Sequence, residues 1–590
     1  MKRCPTCHQT YADETLTFCR VDGALLVSDP LDLSESATRV FDQSRAPQAA
    51  PTELFPGDTS ESYRTTSTLG ATPVATIHAH EKRTERRKSG MSRRKISMII
   101  TAVVLAVIII PTVILAIAGY VAYRHGHDTE VAIDSIAVLP FENISNDQDT
   151  EYLTDGLTES LIYRLSQLPN LKVSPRSSVF RYKGKATDPI KVGNELLVNA
   201  VLSGRIVQRG DQLTISTELT DVRYNRLLWG EQYKRKLSEL LATQREIAEE
   251  IAQKLKVRIS GEDQRLAKKH YTESNEAYQS YLKGRFYWNK RTRDGYSKAI
   301  DHFKAAIAAD PSFALAYSGL ADCYNVLSSY GISSPRESFP LAKMAATKAL
   351  ELDGNLAEAH TSLAYIKYQS DWDWTGAEGE FKRAIELNPN YATAHQWYAI
   401  ELAGMGRVDE ALREIKRAQE LDPLSLVINA SAGWLFYEAR QYDEAIAQYQ
   451  KSLDLDQNFA RGHWGIAEPY ALNGNSERAI RELQTARQVD ETPIVLGLLG
   501  HAYAAAGEKS EAQKILNELK QQSKTKYVDS YFLAEIHAAL GEKERALQEL
   551  EDAYREHSSW IVWIKVEPKF DSLRPDPRYA DLVRRVGLKP

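Results

Sequence analysis

The sequence predicts a multidomain chain in which a small zinc ribbon, a single transmembrane helix and an α/β domain precede an all-α solenoid of helical hairpins. Three observations carry that prediction. Three of the four cysteines fall within the first twenty residues, an uncharged apolar run occupies 96–123, and from about residue 278 the chain repeats itself with a period of about 34 residues. A chain of 590 residues is too long for one hydrophobic core. The formal net charge of -5 is small for this size, so no global attraction to nucleic acid follows. Charged residues at 26% and hydrophobic ones at 43% are ordinary for folded protein.

The ribbon is read from Cys4-Pro5-Thr6-Cys7 and Phe18-Cys19-Arg20-Val21-Asp22-Gly23. Tight Cys-x-x-Cys turns suit tetrahedral zinc, because both thiolates can reach one ion at about 2.3 Å. Asp22 stands where a fourth cysteine would, and a carboxylate oxygen also ligates zinc; His8 is the other candidate for that place. The region resembles the small zinc ribbons at the N-termini of many bacterial membrane proteins. The expectation is structural Zn2+ on Cys4, Cys7, Cys19 and Asp22, against the competing reading of a degenerate ribbon that has lost its metal. Residues 28–95 turn to Ser, Thr, Pro, Ala and charge without periodicity, which reads as a disordered basic linker.

The run 96–123 is long enough, at about 1.5 Å per helical residue, to cross a hydrocarbon core of roughly 30 Å. Lys82, Arg83, Arg86, Arg87, Lys88, Arg93, Arg94 and Lys95 precede it, and Arg124 alone closely follows. The positive-inside rule then places the N-terminus in the cytoplasm and everything after about residue 124 outside. A cleaved signal peptide would be shorter and begin earlier.

Beyond the membrane segment the pattern alternates. Ser135–Phe141 reads as a strand, Asp155 to about Leu168 as an amphipathic helix, Leu171–Val179 as a second strand, and Pro189–Leu197 as a helix. Val201–Val207 and Gln212–Leu219 follow as strands, the latter with Leu213, Ile215, Thr217 and Leu219 on one face. A strand over Leu227–Tyr233 and a long helix over 237–257 complete an α/β domain with a mixed sheet. The phrases SIAVLPFENIS, EYLTDGLTESLIYRLSQLPNLKV, VLSGRIVQRGDQLTISTELTD and LLWGEQYKRKL resemble the TolB amino-terminal-like (FlgO-like) domain over about 133–258. That resemblance implies a bacterial envelope location and contacts with other proteins, and it supplies no catalytic residue. No phosphate-cradling glycine loop, kinase-like catalytic loop or HExxH motif is present.

The repeats are marked by small residues and a closing proline. Ala299, Phe303, Ala306 and Pro311 set the frame, and it returns at Ala377, Phe381, Ala384 and Pro389 and again at Ala411, Ile415, Ala418 and Pro423. Small side chains let two helices approach to about 8–10 Å. The pattern resembles the tetratricopeptide (TPR) family in eight repeats over about 275–555, with an insertion near Tyr330–Phe339 and a C-terminal cap over 556–590. Carried over from that family, Tyr365, Tyr368, Ile400, Trp434, Tyr437 and Trp464 are the positions expected to line the concave groove and hold a protein or peptide. The basic clamp used by chaperone-binding TPRs is absent. His360, His395 and His463 share one repeat position early in the first helix; they stand too far apart to share a metal, so packing is the expectation and pH sensing the rival. Cys323 is expected in the core.

The combined expectation is a non-enzymatic, membrane-anchored protein-binding scaffold of the bacterial inner membrane, single-pass, its C-terminal region periplasmic. The alternative is a one-pass signal transducer that couples extracytoplasmic binding to a cytoplasmic partner. No nucleic-acid partner is expected.

Overall fold

The computed structural model describes residues 133–589 apart from 146–149, 169–170 and 256–270, together with Lys2–Arg3, Thr10–Tyr11, Val27–Ser28 and Thr112. Cys4, Cys7, Cys19, Asp22 and His8 lie outside the described residues, as does the predicted membrane segment apart from Thr112. Among the described residues no helix is long and apolar enough to cross a membrane. Near the N-terminus, strands β1 (Lys2–Arg3), β2 (Thr10–Tyr11) and β3 (Val27–Ser28) pair antiparallel with β1 in the middle.

The α/β domain is organised by alternation. Strands β4 (Ser135–Val138), β5 (Glu142–Asn143), β6 (Lys172–Val173), β7 (Ala200–Arg209), β8 (Gln212–Asp221) and β9 (Arg226–Lys236) form a mixed sheet of order β6-β4-β7-β8-β9. β4 runs parallel to β6 and β7, β5 also runs parallel to β7, and β7, β8 and β9 form an antiparallel meander. In β8 the predicted face of Leu213, Ile215, Thr217 and Leu219 is buried, and Glu218 on the other face is exposed. A side chain at Gly204 of β7 would meet the Phe141 ring at 2.2 Å, so only glycine lets that ring lie across the strand. Helices Glu151–Ser166 and Leu240–Lys254 supply the apolar cover.

One predicted element is corrected. Leu171–Val179 is not a continuous strand; β6 stops at Val173, and Arg176–Phe180 is helical. Pro175 forces the change, because it removes a ladder donor and its fixed φ suits the start of a helix.

Residues 275–556 form eight antiparallel helix pairs, from Asn275–Trp288 with Arg293–Ala309 to Ser530–Ala539 with Lys543–Glu556. The second pair is lengthened, to 16 and 18 residues, where the insertion falls. The frame alanines Ala299, Ala342, Ala377, Ala411, Ala445, Ala479, Ala512 and Ala546 are all buried, which is what close helix approach requires. The α/β domain shares its core with the first repeats: Leu153, Leu157 and Leu161 join Ala277, Leu282, Phe313 and Leu315. Polar groups fix the same junction. Glu159 accepts from Arg285 Nε at 2.8 Å and Asn289 Nδ2 at 2.6 Å, and Tyr278 donates to Ser160 at 2.8 Å. Burial alone would raise the Glu159 pKa, but Arg285 and Arg176 hold it below the ordinary value.

Candidate partner-binding surfaces

The concave face is where a TPR array ordinarily offers its groove, and this chain fills that face itself. The array coils until its end meets its beginning. Arg336 of the second repeat donates to the Arg555 carbonyl at 2.6 Å, Ser328 bonds with Ser559, and Trp372 stacks on His557 at 4.6 Å. From Ser558 the chain turns inward rather than capping an open end. Trp560 and Trp563 pack on Trp434 at 5.4 and 4.1 Å between ring centres. Tyr437 donates to Glu567 at 2.6 Å, Arg440 donates to the Val566 carbonyl at 2.8 Å, and Trp374 donates to the Val586 carbonyl at 2.9 Å. Trp563 and Phe570 are buried to 1% and 0% exposure, so this segment is core.

The six predicted groove residues are therefore corrected as a set. Tyr365, Tyr368, Ile400, Tyr437 and Trp464 are buried and Trp434 is half-buried. Tyr365 lies against Trp397 at 4.6 Å and Tyr368 near Trp374 and Phe381, so these two pack among the helices. Trp434, Tyr437 and Trp464 do face inward, but what they meet is the C-terminal segment. The physical reason is coverage: a row of large aromatics on a closed curve exposes more apolar surface than water tolerates, and residues 558–588 remove it.

Charge follows the same plan. Lys569, 3% exposed, bonds Glu468 and lies 3.0 Å from Glu535 and 3.5 Å from Glu567. Burial pulls the Lys569 pKa down, but the three carboxylates outweigh it and push it well above the ordinary ammonium range. Glu438 beside them is pushed up, first by burial and then by Glu567. Glu401 is fully buried with neither carboxylate oxygen hydrogen-bonded, and burial raises its pKa to about 9. Around Lys569 the inner face is thus acidic, and that lysine from the C-terminal segment answers Glu468, Glu535 and Glu567.

The three histidines have a common job that sequence spacing hinted at without defining. Nδ1 of His360, His395 and His463 lies 2.7 Å from Glu380, Glu414 and Glu482, each on the second helix of the same repeat. Nε2 of each reaches the carbonyl six residues earlier, at Gly354, Pro389 and Gln457, within 2.9–3.1 Å. In the fifth repeat Asn429 takes the position and donates to the Pro423 carbonyl at 2.9 Å. The rings staple each repeat to the loop before it. Cys323 is a buried free thiol, its pKa raised by burial.

A second surface is open. Between the α/β domain and the loops that join successive repeats lies a cleft of about 2010 Å³. Its walls include the segment after β6, the helix Asn275–Trp288, and the turns around Tyr391 and Asp422. Ser177 donates to Asp422 across it, tying the α/β domain to the fourth repeat. Nothing in the helical periodicity marks this cleft, because each wall comes from a different part of the chain.

Comparison with known proteins separates the same two regions. Residues 132–250 match the family described as HilA/YgeH-like transcriptional regulator, second domain, and residues 433–474 match the TPR repeat. Transcriptional regulator HilA of Salmonella typhimurium is 25% identical over 433 residues, covering 66% of this chain and 75% of HilA. Putative adenylate cyclase 3 of Rhizobium meliloti is 30% identical over 287 residues, covering 47% of this chain and 41% of the cyclase. The chain therefore spans less than half of that cyclase's length. Among solved structures, a human IFIT1 dimer with PPP-AAAA is 16% identical, with 58% of this chain and 78% of that chain covered and a TM-score of 0.39. The chain is an α/β region followed by a TPR-like interaction scaffold.

Proposed function

We propose that this chain is a membrane-anchored protein-binding scaffold of the bacterial envelope that takes its protein or peptide partner in the cleft rather than on the concave face. The observation that carries the proposal is the contrast in occupancy: the concave face is filled by residues 558–588, whereas the cleft of about 2010 Å³ is open among the described residues. The uncharged run 96–123 with its basic leading flank supports a single-pass anchor in the inner membrane, the N-terminus cytoplasmic and residues after about 124 periplasmic. The TolB-N-like phrases support the envelope location. Structural Zn2+ on Cys4, Cys7 and Cys19, with Asp22 or His8 as fourth ligand, belongs to the same reading; metal analysis of Cys4→Ser against the parent chain tests it, and equal zinc in both would refute it.

A second reading is favoured by the relatives. Part of this chain recurs in proteins named as a transcriptional regulator and a putative adenylate cyclase, which supports a one-pass transducer with a cytoplasmic partner. Photo-crosslinkers placed at Lys416 in the cleft and at Trp434 in the concave face of the full chain, in intact spheroplasts, decide the first reading. Capture at Lys416 alone is expected; capture at Trp434 alone would contradict it. Loss of a cytoplasmic crosslink from residues 1–95 when the repeats are deleted would favour the transducer.

A further inference from the structure

We infer that the cleft is built to receive an extended acidic segment of a protein partner. The inference rests on the scaffold reading and names the chemistry of what the scaffold holds.

Size comes first. Small-molecule pockets run to about 300–1,000 Å³. A cleft of about 2010 Å³ exceeds that range and suits a length of polypeptide.

Charge selects the sign. The whole chain is net -5, yet the cleft walls carry ten Lys or Arg against six Asp or Glu. Several of those bases are already engaged: Arg285 with Glu159, Arg181 with Glu195, and Arg417 with Glu420. Lys185 and Lys416, one on each wall, are exposed and have no acidic partner among the described residues. An anionic segment lying between them would meet a cation on either side.

Hydrogen bonding selects the backbone. Glu358 lies in the wall with its Oε1 buried and without a hydrogen-bond partner. A main-chain N–H can satisfy that oxygen. Half-buried Tyr163, Tyr281 and Tyr391 add flat apolar area beside it, which suits side chains of a peptide.

The test uses the full chain in detergent and fluorescence anisotropy of three probes: a labelled Glu-Gly repeat peptide, a Lys-Gly repeat peptide, and single-stranded DNA of matched length. Binding of the Glu-Gly peptide alone is expected, weakening with salt as exposed charge pairs do. Reversal of both rim lysines, Lys185→Glu with Lys416→Glu, should weaken it about tenfold or more. Unchanged affinity in that variant, preference for the Lys-Gly peptide, or displacement by DNA would overturn the inference. Circular dichroism of the variant guards against misfolding, and a fold lost there moves the test to Lys185→Gln with Lys416→Gln. If Lys416 crosslinks a partner while the Glu-Gly peptide fails to bind, the acidic chemistry is wrong and the scaffold reading stands. If neither occurs, both fail.

Discussion

The concave interior and the outer cleft are both lined by aromatics and charge, yet one is sealed and the other open. The interior is acidic and receives Lys569 and Trp563 from the chain's own end. The cleft is basic and has no such insert among the described residues. Helical hairpins of this kind always curve, so curvature alone does not give a free binding face. What decides is whether the curve closes, and here the second and third repeats meet the eighth.

That contrast can be broken most forcefully at the lysine. Lys569→Ala leaves Glu468, Glu535 and Glu567 facing one another without a counter-ion, and the expected loss is about 3–5 kcal/mol in chemical denaturation. A loss below about 1 kcal/mol would mean the segment is loosely held. Trp563→Ala removes a side chain that is 1% exposed and should cost a similar ~3–5 kcal/mol. A surface-like effect there would place the segment outside the core.

Glu401 sharpens the picture from the opposite side. Its folded pKa of about 9 lies above the ordinary 4.5, so the folded state holds the extra proton between those values. Stability therefore falls as pH rises through that window. Glu401→Met should stabilise by about 1–3 kcal/mol near neutral pH and flatten the slope, as melting curves across pH would show. A destabilised variant would argue that the carboxyl has a partner.

His463 offers a smaller handle. Both its neighbours, the Glu482 carboxylate and the Gln457 carbonyl, only accept, so the ring serves both when both nitrogens carry hydrogen. The bond to Glu482, opposed by burial, raises its pKa above the ordinary value. Its contribution is complete below the unfolded pKa of about 6.5 and is lost as pH rises through the folded value. His463→Asn copies the arrangement of Asn429 one repeat earlier; it should keep the loop bond, cost under about 1.5 kcal/mol, and remove that pH dependence. An unchanged pH profile would contradict the staple. The smallest effect is expected at the cleft rim, where Lys416→Glu should change stability by no more than about 0.5 kcal/mol while altering acidic-peptide binding.

Much of this architecture was legible in local pattern. Leu213, Ile215, Thr217 and Leu219 announced both a strand and its buried face, and the frame alanines announced the hairpins. Pro175 was the local signal that should have ended the strand at β6. The histidine spacing was visible, but not the glutamate each ring meets, because that partner lies 19 or 20 residues away on another helix. Ring closure was out of reach. Period measures how one hairpin follows the next, not the small rotation that brings repeat eight to repeat two. A hint did exist in Trp560-Ile561-Val562-Trp563-Ile564, a run far too apolar for a solvent-facing cap.

Native-state hydrogen exchange along the full chain tests the filled interior most directly. Amides from Trp560 to Val586 should exchange as slowly as those of the helix Leu426–Glu438, opening only when the whole array unfolds. Fast, independent exchange of that segment, with the helices still protected, would show a groove that empties on its own and would return the binding site to the concave face.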